Sequence, residues 1–159
     1  LSGHKSGIEL MHSNFAEHRL VSASSDKSIL VWNTKNWTVI NSVKGHSKGV
    51  NCVCLGQRSN ILVSGSDDKT IKIWNLKSGQ CIRTLTGHHN GLSAVDFDYN
   101  SQIIVSRSIS NTFIWDMSTW KRIRAFEEQE RINTYAIQLD PSSLILATGC
   151  GNSIKIRKW

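Results

Sequence analysis

Apolar and polar residues alternate in short runs along this chain, and the runs come in ordered sets. The clearest set begins with Val50-Asn51-Cys52-Val53-Cys54-Leu55 and continues with Ile61-Leu62-Val63-Ser64-Gly65-Ser66, which is apolar on both sides. Thr70-Ile71-Lys72-Ile73-Trp74 then alternates strictly, and Gln80-Cys81-Ile82-Arg83-Thr84-Leu85 is half polar. A period of two over five or six residues marks a strand with its faces in different surroundings. Asp67-Asp68-Lys69 and Asn75-Leu76-Lys77-Ser78-Gly79 supply the intervening turns. No stretch carries the spacing of an amphipathic helix, so the chain is expected to be all-β.

The set repeats. Gly-His pairs occur at Gly3-His4, Gly45-His46 and Gly87-His88, forty-two residues apart, each followed downstream by Trp32, Trp74 or Trp115. A fixed period of about 40–45 residues with these two punctuation marks points to four-stranded blades repeated around an axis. The boundaries expected from the period are 1–43, 44–85 and 86–126, with a degenerate and incomplete fourth repeat over 127–159. That makes about 3.75 blades of a β-propeller. Since propellers have roughly 4–8 blades, the chain is read as part of a seven- or eight-bladed ring. The remaining blades are expected in the same longer chain, with closure by a second copy as the alternative.

Repeat one carries His4, Ser22, Ser24, Asp26, Lys27, Ile29, Trp32 and Asn33, and repeat two answers with His46, Ser64, Asp68 and Trp74. The histidine-to-serine step is eighteen residues and the aspartate-to-tryptophan step is six in both. These residues resemble the WD-repeat (WD40) family. The resemblance implies that His4, Ser22, Asp26 and Trp32, and likewise His46, Ser64, Asp68 and Trp74, form a hydrogen-bonded chain that ties each blade together. A buried imidazole needs partners and a buried carboxylate needs compensation, so the set suits a structural staple. A hydrolase triad would not recur once per blade, and no nucleophile elbow accompanies either serine.

The pattern weakens downstream. Repeat three keeps His88, Ser106, Trp115 and Asp116, but its turn Ser108-Ile109-Ser110-Asn111 is one residue shorter and lacks the aspartate. Repeat four has Thr148 in the serine position, Glu130 in the histidine position and Arg157 in the tryptophan position. Two readings of this loss stay open: a Glu130–Arg157 charge pair in place of the chain, or both side chains reaching solvent from a degenerate blade. Blades three and four should be less firmly held than one and two, by one or two links of about 1 kcal/mol each.

Composition changes this picture little. The net charge of +7 over 159 residues is spread thinly, with denser groups only at Lys121-Arg122-Arg124 and Lys155-Arg157-Lys158, read as solvated faces. Cys52, Cys54, Cys81 and Cys150 have no metal or redox spacing, and Cys52 and Cys54 read as small buried hydrophobes. No apolar run approaches the ~18 residues of a membrane span. His12, His18 and His89 are isolated and read as surface or loop residues. No cofactor, metal or catalytic residue is expected, and the expected compartment is cytoplasmic or nuclear.

Function is therefore expected on binding surfaces. The family resemblance implies that the propeller mouth binds peptide segments of other proteins; by register this mouth holds Glu9, Asn51, Ser93, Asn133 and Tyr135, with turn residues Ser25, Asp67 and Ile109. Glu9 and Asp67 favour a basic segment, Tyr135 is the aromatic anchor, and Gly7, Gly49 and Gly91 leave the backbone open to a close ligand. Trp37 and Trp120, at the turn where repeat two has Gly79, mark a second candidate partner surface on the opposite rim. The leading reading is a non-enzymatic interaction scaffold. Repeat two, over 50–55 and 61–68, also resembles substrate-recognition propellers of ubiquitin ligases. A subunit of an RNA-processing or ribosome-associated particle is the alternative that the positive charge supports.

Overall fold

The structure is a computed structural model and describes residues 2–56, 60–127, 137–140, 145–150 and 153–158. Four antiparallel sheets follow one another along the chain. The first holds β1 (Ile8–Asn14), β2 (Arg19–Ser24), β3 (Ser28–Asn33) and β4 (Thr38–Lys44), with a single 3-10 turn over Phe15–Glu17. The second holds β5 (Val50–Leu55), β6 (Ile61–Ser66), β7 (Ile71–Asn75) and β8 (Gln80–Leu85). The third holds β9 (Leu92–Asp98), β10 (Ile103–Ser108), β11 (Asn111–Asp116) and β12 (Lys121–Glu127), and the fourth β13 (Ile137–Asp140), β14 (Ile145–Cys150) and β15 (Ser153–Lys158). Within each sheet the strands pair in chain order. The first strands of neighbouring sheets pack on one another, as β1 on β5, β5 on β9 and β9 on β13. This is the arrangement of consecutive propeller blades.

The core lies in the seams between blades because each middle strand is apolar on both faces. Val21, Ala23, Ile29 and Val31 of blade one meet Val53, Leu55, Leu62 and Trp74 of blade two. Cys54, Val63, Ile71 and Ile73 of blade two meet Phe97, Ile104, Phe113 and Trp115 of blade three. Ile103, Val105 and Ile114 meet Leu139 and Leu146 of blade four. Cys52 and Cys54 are both buried, and burial pushes their thiols well above the ordinary range. The far face of blade four, bearing Ile154 and Ile156, is open at 74% and 70% exposure.

Two bulges recur in every complete blade. One interrupts the fourth strand and leaves Ile40, Ile82 and Ile123 as the extra residues. A bulge of this kind, flanked by charges such as Arg83, Arg122 and Arg124, protects an edge strand from pairing with another chain. The second falls at the start of the first strand and makes Glu9, Asn51 and Ser93 the extra residues.

The tightest seam is at Gly65. A Cβ there would lie 2.7 Å from both Cys52 Sγ and Leu92 Cβ, so the second blade must leave this place empty for the third to close on it. The same register position is Ala23 in blade one and a fully buried Arg107 in blade three. Gly65→Ala is expected to destabilise the protein by about 1–3 kcal/mol through overpacking, seen as a lower urea midpoint at unchanged slope.

Candidate functional site

Two sets of side chains stand out, one that ties each blade internally and one that gathers at the mouth. In blade one the Trp32 indole N–H donates to Ser22 Oγ at 2.9 Å, and Ser22 Oγ meets His4 Nε2 at 2.7 Å. His4 Nδ1 then lies 3.1 Å from Asp26 Oδ2. In blade two the corresponding distances are 2.8 Å for Trp74–Ser64, 2.8 Å for Ser64–His46 and 2.8 Å for His46–Asp68. The proton positions follow from what each group can do. An indole only donates and a carboxylate only accepts, so Nδ1 carries the imidazole proton and the serine hydroxyl donates to Nε2. The glycine of the Gly-His pair lies beneath the indole edge: a Cβ on Gly45 would sit 3.0 Å from Trp74 Cη2.

Asp68 anchors this chain as an anion. Burial pushes its carboxyl up, but the Thr70 hydroxyl, the Ser47 amide and His46 outweigh that and hold it at about 2. Asp26 is likewise held below the ordinary carboxylate range, against burial, by Ser28, the Lys5 amide and His4.

Blade three keeps the upper half of the chain and changes the lower. Trp115 donates to Ser106 at 2.8 Å and Ser106 meets His88 Nε2 at 2.8 Å, but His88 Nδ1 is buried with no partner. The ring stacks on Phe113 at 4.2 Å, and the Arg122 guanidinium lies 4.4 Å from the centre of the same Phe113 ring. Phe113 stands in the register place of Leu30 and Lys72. Aromatic stacking thus takes the place of the carboxylate. Burial, Arg122 and His89 together depress His88 to about 4.

In blade four Arg157 stands opposite Leu146, as Trp74 stands opposite Leu62. Its Nη1 donates to Thr148 Oγ1 at 3.1 Å, and its guanidinium lies 5.2 Å from the Phe126 ring centre in blade three. The donor-to-hydroxyl step therefore persists with arginine in place of tryptophan. Glu130, the expected partner of Arg157, lies outside the described residues.

The mouth is built by the bulges. A bulge re-aims the extra side chain, and here it turns Glu9, Asn51 and Ser93 toward the turns of the second strands. Glu9, Ser25, Asn51, Asp67, Ser93 and Ile109 line a single open cavity of about 580 Å³. Ser25 donates to Glu9 in blade one, whereas Asn51 Nδ2 donates to Asp67 Oδ1 at 2.7 Å in blade two. The carboxylate thus changes strand between blades while the hydrogen bond is kept. Asn51 also donates to Leu92 O at 3.0 Å, which fixes its amide across the seam. Asn133 and Tyr135 lie outside the described residues. Gly91 lines the same cavity, and a Cβ there would lie 2.6 Å from Asp67 Oδ1, so its lack of a side chain also makes room for that carboxylate.

On the opposite rim Trp37, Gly79 and Trp120 all have left-handed backbones, with φ of 57°, 71° and 60°. The two tryptophans differ in surroundings. Trp120 packs against the seam of blades two and three with the Arg83 guanidinium 5.4 Å from its ring centre, while Trp37 is 50% exposed.

Sequence reading missed a further set on the channel wall. His12, Cys54 and Asp96 follow one another at forty-two residues and reach the next blade, His12 and Asp96 its backbone and Cys54 the Asp96 side chain. His12 Nδ1 accepts the Leu55 N–H at 3.2 Å, and Asp96 Oδ2 accepts the Leu139 N–H at 2.9 Å. The Cys54 thiol donates to Asp96 Oδ1 at 3.4 Å. Burial pushes the Asp96 carboxyl up despite these donors. The spacing alone could have shown the set, but the three residue types share no chemistry that draws attention to it. Among the described residues no group of three or more His, Cys, Asp or Glu is placed to hold a metal ion.

Consecutive antiparallel sheets packed through their first strands, the three complete ones each tied by an indole–hydroxyl–imidazole chain, define the blades of a β-propeller. The model of the WD domain, G-beta repeat, matches residues 1–33, 37–75 and 79–116, more than half of the chain, which therefore belongs to the WD-repeat family. Among solved structures the chain is similar to one described as the structure of U3-55K, with a TM-score of 0.88 and 23% identity. The likeness covers 100% of this chain and 51% of that one, so the chain spans about half the length of its structural neighbour and shares its fold. No curated protein sequence matches the chain.

Two outcomes follow for stability. Ser64→Ala leaves the buried Trp74 N–H and His46 Nε2 unsatisfied and is expected to cost about 2–4 kcal/mol in denaturant unfolding. Acid should also weaken the fold. Burial lowers His12, His46 and His88 from an ordinary 6.5, so the unfolded chain takes up protons first. Their contribution is complete above about pH 6.5 and is lost as pH falls toward the His88 value of about 4. His88→Phe should flatten that slope; an unchanged slope would exclude His88 as a source.

Proposed function

We propose that this chain is a non-enzymatic scaffold whose mouth captures a lysine- or arginine-bearing segment of a partner protein. Members of the WD-repeat family are interaction scaffolds that bind other proteins, which supports the general role. The observation that carries the finer reading is the convergence of Glu9 and Asp67 on one cavity of about 580 Å³ in a chain of net charge +7. Both carboxylates are already oriented by Ser25 and Asn51, so a cation would find them preorganised and lose less on binding. Free thiols at Cys52, Cys54 and Cys81 suit a reducing cytoplasmic or nuclear compartment. The open apolar faces at Ile154 and Ile156, and at Ile8 and Met11, suit further blades of one longer chain.

The experiment is a peptide-array screen on the full-length protein, followed by titration of the best binders against Glu9→Gln and Asp67→Asn. Selected peptides should carry Lys or Arg, and each substitution should weaken them about tenfold, the effect of losing one close charge pair. Binders without basic residues, or indifference to both substitutions, would contradict the reading. Capture of RNA with a steep salt dependence would favour the nucleic-acid alternative.

A further inference from the structure

A second pocket, separate from the mouth, lies at the outer end of the seam between blades one and two. It has a volume of about 380 Å³ and is lined by Lys5, Lys27 and Lys44, together with Asp26, Ser28 and Ser42. The three lysines come from three places in the fold: the segment before β1, the turn between β2 and β3, and the end of β4. Lys27 is held there by the turn itself, with a left-handed φ of 70° and its N–H bonded to Ser24 O at 3.1 Å.

The pocket has an unbalanced charge. Asp26 is its acidic group, and its oxygens are already occupied. Oδ2 accepts from the Lys5 amide at 2.7 Å and faces His4 Nδ1, while Oδ1 accepts from the Ser28 amide at 2.9 Å and the Ser28 hydroxyl at 2.5 Å. None of the ammonium groups of Lys5, Lys27 and Lys44 makes an ion pair or hydrogen bond with a described residue. Three cations against one engaged carboxylate leave the site two charges positive. The next seam has a smaller excess. Forty-two residues on, Ser47, Lys69 and Thr86 stand at the three lysine positions and Lys72 at that of Leu30, so two lysines face Asp68. The cluster of three lysines is therefore not repeated in the second blade.

We propose that this pocket is a phosphoryl-group site, taking the dianion of a phosphate monoester or of free phosphate. A dianion matches the excess charge, and its oxygens can accept from three ammonium groups and the Ser42 hydroxyl at once. Lysine suits the role as a mobile point charge. The site stands independently of what the mouth binds.

The test uses the full-length protein at fixed ionic strength, titrated calorimetrically with inorganic phosphate and, separately, with a phosphoserine peptide and its unphosphorylated twin. Saturable binding of the phosphorylated probes is expected. The combined Lys5→Ala, Lys27→Ala, Lys44→Ala variant should weaken it at least tenfold. The Lys121→Ala, Arg122→Ala, Arg124→Ala variant, which removes the other basic cluster, should leave it unchanged. Both sets of substituted residues are exposed, and thermal unfolding of each variant checks that the fold is intact. Binding of the phosphopeptide should also fall between pH 7.5 and 5.5, as its phosphoryl dianion takes up a proton near pH 6 and becomes a monoanion. A phosphopeptide much tighter than phosphate assigns the site to a phosphorylated partner, and equal affinities assign it to the free ion. Absence of saturable binding, or equal weakening by the two variants, would overturn the proposal.

Discussion

A serine hydroxyl between an indole and an imidazole is the contact on which each complete blade depends. Ser22, Ser64 and Ser106 each accept a tryptophan N–H and meet a histidine Nε2 within 2.9 Å. The serine lies in the second strand, the tryptophan in the third, and the histidine before the first. One small polar group therefore fixes three separate segments, and it does so in an apolar seam where an unpaired donor is costly. The Gly-His marks recur at forty-two residues and the tryptophans at forty-two and forty-one because this geometry admits little variation. What lies beyond the imidazole is freer. Blades one and two end the chain on an ionised aspartate, whereas blade three ends it on a phenylalanine face backed by Arg122.

That distinction explains how much was legible in the sequence. The strands of blade two could be read because Ile71, Ile73 and Trp74 alternate with polar neighbours and Asp67-Asp68-Lys69 can only turn. The residues of the mouth could be placed by register, yet the reason they face a cavity could not. It lies in the bulges at Glu9, Asn51 and Ser93, and a bulge adds a residue without leaving a mark in local composition. The replacement of the Asp link by His88–Phe113–Arg122 stacking was likewise hidden, since it joins residues far apart in sequence. The Arg157-to-Thr148 bond is what register implies, while Glu130, the expected partner by charge, lies outside the described residues. The channel residues His12, Cys54 and Asp96 share a spacing and differ in chemistry, and a search by residue type passes over them.

The distribution of charge ties the architecture to binding. Carboxylates that stabilise blades are engaged by several donors, as Asp26 and Asp68 are, and they offer little to a ligand. The mouth carboxylates have fewer internal partners and open onto solvent. Lysines of the first blade stand further out around the same rim without acidic partners. The mouth is thus acidic and the blade-one pocket basic, two sites of opposite sign on one protein.

Native-state hydrogen exchange tests the central claim most directly, because it reports the stability of each blade separately. If the hydroxyl-centred chain and its aspartate anchor govern blade stability, amides of β2, β3, β6 and β7 should exchange more slowly than their counterparts in β10 and β11. The Trp115 indole should also exchange faster than that of Trp74. Equal protection across the three blades, or greater protection in the third, would contradict the account.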